Sequence, residues 1–190
     1  MDLVQVTIDG PCGAGKSTVA RKLANKLGFV HLDSGALYRA VGLRAVEQGI
    51  SLDAGSAVAN VARKQKFSFE LDGQGYTTIV LNGKPLGEEI RGEKVGNYAS
   101  KVAVLPEVRA VLTEVQRAAA VTSSVVLEGR DAGTVVFPNA KFKFYLDASI
   151  EERVRRRLLE MQSKGGEAVA SLTLEGVQRG IEERDLRDST

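Results

Sequence analysis

The chain has 190 residues, 43% hydrophobic, 26% charged and 5% aromatic, with a formal net charge of +2: enough apolar material for one ordinary core, and too little charge to argue for nucleic acid or an anionic membrane as partner. One cysteine and one histidine exclude a disulfide framework and a structural zinc site. No apolar run approaches the roughly 18 residues that a membrane span needs, and "MDLVQVTID" has neither the basic region nor the cleavage site of a signal peptide, so a soluble, reducing, cytoplasmic setting is expected.

"LVQVTI" (3–8) is short, apolar and β-branched, the pattern of a buried parallel strand. "KSTVARKLANKLG" follows as a helix with Val19, Leu23 and Leu27 along one face and Gly28 as its stop. "FVHL" is a second strand, which completes a βαβ unit around a glycine-rich loop. A helix is expected from Ser34 to about Gly49, and another, capped by Asp53, to about Lys64. Phe67, Phe69 and Leu71 then alternate, and "DGQG" and "NG" mark turns, so residues 65–91 read as an antiparallel insert. Helical periodicity resumes near Gly92, with Pro106 in the first turn of a helix that reaches about Ala120. "SSVVLEG" and "FKFYLD" are two more core strands. "SIEERVRRRLLEMQ" and "SLTLEGVQRGIEERDLRDS" are helices joined by "SKGGEA". The expected organisation is one domain over 1–190: a core of 1–64 and 92–190, the insert, and a short lid at about 158–170.

The chemistry starts at "GPCGAGKST". Gly10, Gly13, Gly15, Lys16 and Ser17 satisfy G-x-x-x-x-G-K-[S/T], in which glycines let backbone N–H groups converge on phosphate at a helix N-terminus. Lys16 is expected to reach the β- and γ-phosphates of a bound nucleotide, and the Ser17 hydroxyl to ligate Mg2+. Cys12, Ala14 and Thr18 complete the ATP-binding run; Cys12 reads as a small residue that fits rather than as a reactive thiol, and His31 reads as structural. The base-reading N-K-x-D of a GTPase is absent, since "NAKF" fails it. Asp72-Gly-Gln-Gly75 imitates a GTPase switch but falls in the insert.

The ends of the next strands supply more. "LDSGALYRA" sets Asp33 at a strand end, Ser34 and Gly35 at the opening of a helix, and Arg39 about one turn in. "LEGRDAGTVVFP" sets Glu128, Arg130 and Asp131 at the end of the third strand. Ligands of open α/β sheets bind at such carboxyl ends, and arginines there suit an anionic acceptor.

With "IDGPCGAGKST", "LDSGALYRA", "GRDAGTVVFPNAKFKFYLDAS", "EERVRRR" and "ERDLRDST" together, the chain resembles the bacterial cytidylate kinases, a branch of the nucleoside monophosphate kinases, from residue 6 to its end. The resemblance implies a phosphate-loop α/β three-layer fold with a parallel core sheet, a small antiparallel monophosphate-binding insert and a short lid. It implies transfer of the ATP γ-phosphoryl to CMP or dCMP, with Mg2+. Arg39, Arg130 and Arg184 would grip the acceptor phosphate; Ser100, Arg109 and Asp131 would read cytosine; Ser34 and Asp188 would hold the sugar. Lys16, Arg130 and Arg184 would be catalytic. Of Arg153, Arg155, Arg156 and Arg157 beside the lid, one or two would reach ATP, Arg157 being the one assigned. The family carries a further arginine after "RDST", then a last strand and helix, none of which is in this sequence, so the last core strand is expected to be missing. Glu128 stands where aspartate also occurs in the family, and would serve the magnesium water shell.

A phosphate monoester has a second pKa near ~6, so the acceptor oxygen is already ionised and no general base is needed. Positioning and cations then carry the rate. A monomer is expected, with no nucleic acid or membrane partner. A hydroxyl kinase that recruits Asp33, and a non-catalytic ATP-binding module, are the alternatives at this stage.

Overall fold

The computed structural model describes residues 2–164 and 173–189. Four parallel strands form the core sheet in the order β2-β6-β1-β7: β1 (Gln5–Asp9), β2 (Val30–Asp33), β6 (Val125–Gly129) and β7 (Phe142–Tyr145). A second, antiparallel sheet joins β3 (Phe67–Leu71), β4 (Thr77–Leu81) and the two-residue β5 (Lys84–Pro85), where the alternating phenylalanines and the Asn82-Gly83 turn lead the sequence reading to expect it. Asn82 takes φ +51 there, the left-handed conformation that asparagine tolerates.

The helices are α1 (Lys16–Leu27), α2 (Ser34–Glu47), α3 (Gly55–Lys64), α4 (Glu93–Ala103), α5 (Pro106–Thr122), α6 (Ile150–Lys164) and α7 (Leu174–Ser189). Val6, Ile8 and Val126 meet Ala20 and Ala24 of α1 on one face of the sheet. Leu32, Val125 and Leu127 meet Ala120 of α5 and residues 132–140 on the other, which makes three layers. A third apolar cluster binds Leu37 and Val41 of α2, Val58 of α3, Val102 of α4 and Leu112 of α5 to Ile79 and Leu81 of the insert.

Several local expectations shift. β1 begins at Gln5 rather than Leu3. The buried stripe of α1 is Lys16, Ala20 and Ala24; of the expected apolar face, Leu23 packs half-buried against the core, while Val19 and Leu27 stay exposed, because the helix lies on the sheet mainly through its small residues. Asp53 does not cap α3: Ala54 holds that position, without a side-chain bond. Of the expected lid, residues 158–164 belong to α6, and residues 165–172, with most of "SKGGEA", lie outside the described residues. β7 is an edge strand whose Phe142, Phe144 and Tyr145 are exposed. No helix among the described residues is long and apolar enough to cross a membrane.

Candidate active site

The site is built at the carboxyl edge of the core sheet. Asp9 ends β1, and the chain turns through Gly10 (φ +146), Gly13 and Gly15 into α1. Gly15 is the cap residue and offers no side chain to the first amides of α1, so those N–H groups are left to meet an anion. Lys16 is buried and its Nζ donates to the Pro11 carbonyl at 2.7 Å, inside the loop. Burial, and then the nearby charge of Arg130, pull its pKa down to about 8. The Ser17 hydroxyl donates to Glu128 Oε2 at 2.7 Å. Thr18 is exposed in the first turn, and Cys12, Gly13 and Ala14 line the loop.

Parallel pairing sets Asp33 of β2 beside Glu128 of β6. Asp33 accepts from the Ala36 amide at 3.0 Å and so caps α2; burial first, and then Glu128, push its carboxyl pKa up. A hydroxyl kinase would recruit this carboxylate; here its Oδ1 is engaged as a helix cap. Ser34 is buried at the start of α2. Arg39, one turn on, donates to the Ile90 carbonyl at 3.1 Å. Its pKa is lowered by burial and by the charge of Arg184, against the opposing pull of Asp33.

Asp9 also holds the segment that follows β6. Its two carboxylate oxygens accept from the Ala132 and Gly133 amides, both at 2.8 Å, at the start of a π-helical turn over Ala132–Val136. This clamp fixes Arg130 and Asp131 relative to the phosphate loop. Arg130 Nε donates to Asp188 Oδ2 at 2.6 Å, which joins two residues assigned to the acceptor phosphate and the sugar. Arg109 of α5 pairs with Asp131 and donates to the Ala103 carbonyl, so two of the three expected cytosine readers meet. Ser100 is half-buried on α4. Tyr38, unassigned by sequence reasoning although it precedes Arg39, adjoins the Arg109–Asp131 pair; its phenol is pushed up to about 12, mainly by burial.

Helices α6 and α7 close over the loop. Arg153 donates to the Cys12 carbonyl and to Asp185, Asp185 accepts from the Cys12 amide at 3.3 Å, and Arg156 donates to the Ala14 carbonyl at 2.9 Å. Arg184 lies 3.7 Å from Cys12 Sγ and against Gly96 of α4, where a Cβ would collide with its guanidinium. The loop contacts of this arginine run are therefore made by Arg153 and Arg156, while Arg157 donates to Glu160 at 2.9 Å along α6. Arg153 and Arg156 stood among the four candidate arginines of this run without being singled out, and Asp185 and Asp9 were not picked out by sequence reasoning. A legible signal existed only for Asp9, which directly precedes the loop glycine.

Among the described residues no group of three or more His, Cys, Asp or Glu could hold a metal alone. Mg2+ asks for less, because it keeps several waters and takes one or two protein oxygens beside substrate phosphates. The Ser17 hydroxyl, bonded to the Glu128 carboxylate, is a hard-oxygen set of that kind, and it fits.

Lys16 of α1, Arg39 of α2, Arg184 of α7 and Arg130 after β6 thus converge around the loop at one sheet edge. That combination defines a phosphate-loop kinase of the α/β class. The family model described as cytidylate kinase matches residues 6–190. Proteins named cytidylate kinase from Caldanaerobacter subterraneus subsp. tengcongensis and from Marinomonas sp. are each 47% identical, over 98% and 97% of this chain respectively and 79% of their own lengths. One of the same name from Solibacter usitatus is 46% identical over 98% of this chain and 78% of its own. The chain belongs to the cytidylate kinase family.

Proposed function

We propose that this chain transfers the γ-phosphoryl group of ATP to the 5′-phosphate of CMP or dCMP, giving ADP and the diphosphate. The observation that carries the reading is the pairing of Arg109 with Asp131 beside the acceptor arginines: a donor–acceptor pair for a base, set next to charge for a phosphate. Asp131 accepts from the exocyclic amine of cytosine, Arg109 donates to its ring acceptors, and Ser100 adds a hydroxyl. Ser34 and Asp188 hold the sugar. Arg39, Arg130 and Arg184 hold the acceptor phosphate, while Lys16 and the loop amides hold the donor. No proton has to be removed, since the attacking oxygen is ionised at neutral pH. In-line positioning and charge dispersal supply the rate.

Ser17, supported by Glu128, would hold Mg2+, which when bound neutralises charge on the transferring phosphates. Arg153 and Arg156, already on the loop carbonyls, keep α6 against the donor site, with Arg157 on the neighbouring turn toward ATP; closure there excludes water that would otherwise accept the phosphoryl group. We propose a cytoplasmic monomer acting on free nucleotides, without nucleic acid or membrane.

The test is ADP formation from ATP and Mg2+ with CMP, dCMP, UMP, AMP or no acceptor. CMP and dCMP should support turnover, and UMP should fall about 10- to 100-fold in kcat/KM, the 1–3 kcal/mol of a buried polar group left unmatched. Asp131→Asn should lose CMP activity and narrow the CMP/UMP ratio toward unity, because an amide can donate to the uracil carbonyl. Equal kcat/KM for CMP and UMP in the unsubstituted chain would refute the specificity.

A further inference from the structure

His31 is the only histidine of the chain, and the phosphoryl-transfer scheme above does not use it. It lies on β2 two residues before Asp33, in register with Val126 of β6, and Glu128 follows Val126 by two on the same face of β6. His31 Nε2 donates to Glu128 Oε1 at 2.8 Å, with the two side chains 11% and 4% exposed. The other carboxylate oxygen, Oε2, accepts the Ser17 hydroxyl proton. Behind the imidazole, the His31 backbone amide donates to Thr77 Oγ1 of β4 at 2.8 Å. A continuous hydrogen-bonded line thus runs from the insert through His31 and Glu128 to Ser17 of the phosphate loop.

We infer that His31 is a positioning residue for the divalent cation at Ser17, acting through Glu128. A carboxylate this buried needs a partner on each oxygen. With His31 on Oε1, Glu128 is held in one orientation and presents Oε2 to Ser17. Donation of the hydroxyl proton to a carboxylate makes the serine oxygen a better ligand and leaves its lone pairs to the cation, as outer partners of metal ligands do generally. Without the imidazole, Oε1 is left without its donor at a buried position beside Asp33, Glu128 turns to find another donor, and Ser17 loses its acceptor.

The inference rests on the proposed nucleotide site, and its test separates the two. Mn2+ binding to the ADP-saturated, tag-free chain is followed by electron paramagnetic resonance, beside ADP affinity without metal. His31→Leu should weaken Mn2+ about tenfold with metal-free ADP affinity unchanged, and His31→Gln, which keeps a donor at the end of the side chain, should recover most of the loss. In the unsubstituted chain the single imidazole signal should shift when Mg2+ is added to the ADP complex and stay still with ADP alone. Mn2+ affinity in His31→Leu within twofold of the unsubstituted chain overturns the inference; if that variant does not fold, an imidazole signal unmoved by Mg2+ overturns it equally. A chain that shows the His31-dependent affinity but no CMP turnover would refute the substrate reading and leave this one standing.

Discussion

Gly10→Ala should lower the melting temperature of the chain by about 10 °C. Gly10 sits at φ +146, a region that L side chains rarely adopt and that costs of order 1–3 kcal/mol when one is forced into it. Space adds to the strain. A Cβ there would collide with the carbonyl oxygen of Leu146, and it would lie 3.0 Å from the carbonyl carbon. That backbone cannot retreat easily, because the Leu146 amide donates to the Asp9 carbonyl at 2.7 Å, at the junction of β1 and β7. Strain and collision together reach about 4 kcal/mol, a large share of the ~5–15 kcal/mol that holds a domain together, and for a chain of this size each 1 kcal/mol moves the melting point by about 2–4 °C. Gly28→Ala is the control. Gly28 is also at positive φ, +67, but nothing lies within 4 Å of its missing Cβ, so it should cost only the ~1–2 kcal/mol of the left-handed conformation. Equal melting points for the two variants would refute the collision argument.

Lys16→Met should remove about 10²- to 10³-fold of kcat with CMP while the fold persists, the usual cost of deleting one preorganised donor aimed at developing charge. Stability should hold, because the substitution removes a buried ammonium whose desolvation is the leading cause of its depressed pKa. The same depression has a pH signature. Below about pH 8 the side chain is protonated in the folded and unfolded states alike, and the desolvation cost is fully present. Between about 8 and the ordinary lysine value of 10.5 the unfolded chain binds the proton and the folded one does not, so this residue's contribution to stability rises with pH across that window. ATP affinity should run the other way, falling as pH climbs through about 8 and the charge facing the phosphates is lost. Lys16→Met should show neither trend; isothermal titration with ATP and thermal melts across pH 7–10 read both.

How far the sequence alone carries is visible residue by residue. The phosphate loop was legible because its requirement is local: a few glycines for unusual φ values, and a lysine and a serine at set offsets on the following helix. Pro106 marked the start of α5, and the alternating Phe67, Phe69 and Leu71 marked β3, for the same reason: steric and hydrogen-bonding preferences act over a few neighbours. The family likeness implies one site for Arg109 and Asp131, and the folded chain pairs them. Which side chains meet across the sheet was another matter. The Ser17–Glu128 bond spans 111 positions, the Glu128–His31 bond 97, and the Cys12–Asp185 bond 173. Those meetings depend on β6 lying between β1 and β2, and on registers that match Glu128 to Ile8 on one side and Asp33 on the other. The choice of Arg153 and Arg156 as the arginines that meet the loop is likewise set by how α6 is rotated against it, and the burial of Ala20 and Ala24 in place of Val19 and Leu27 by how α1 is rotated on the sheet. Local preference decides what each segment is; the free energy that selects strand order and helix rotation is summed over contacts distant in sequence, and only the folded chain collects them.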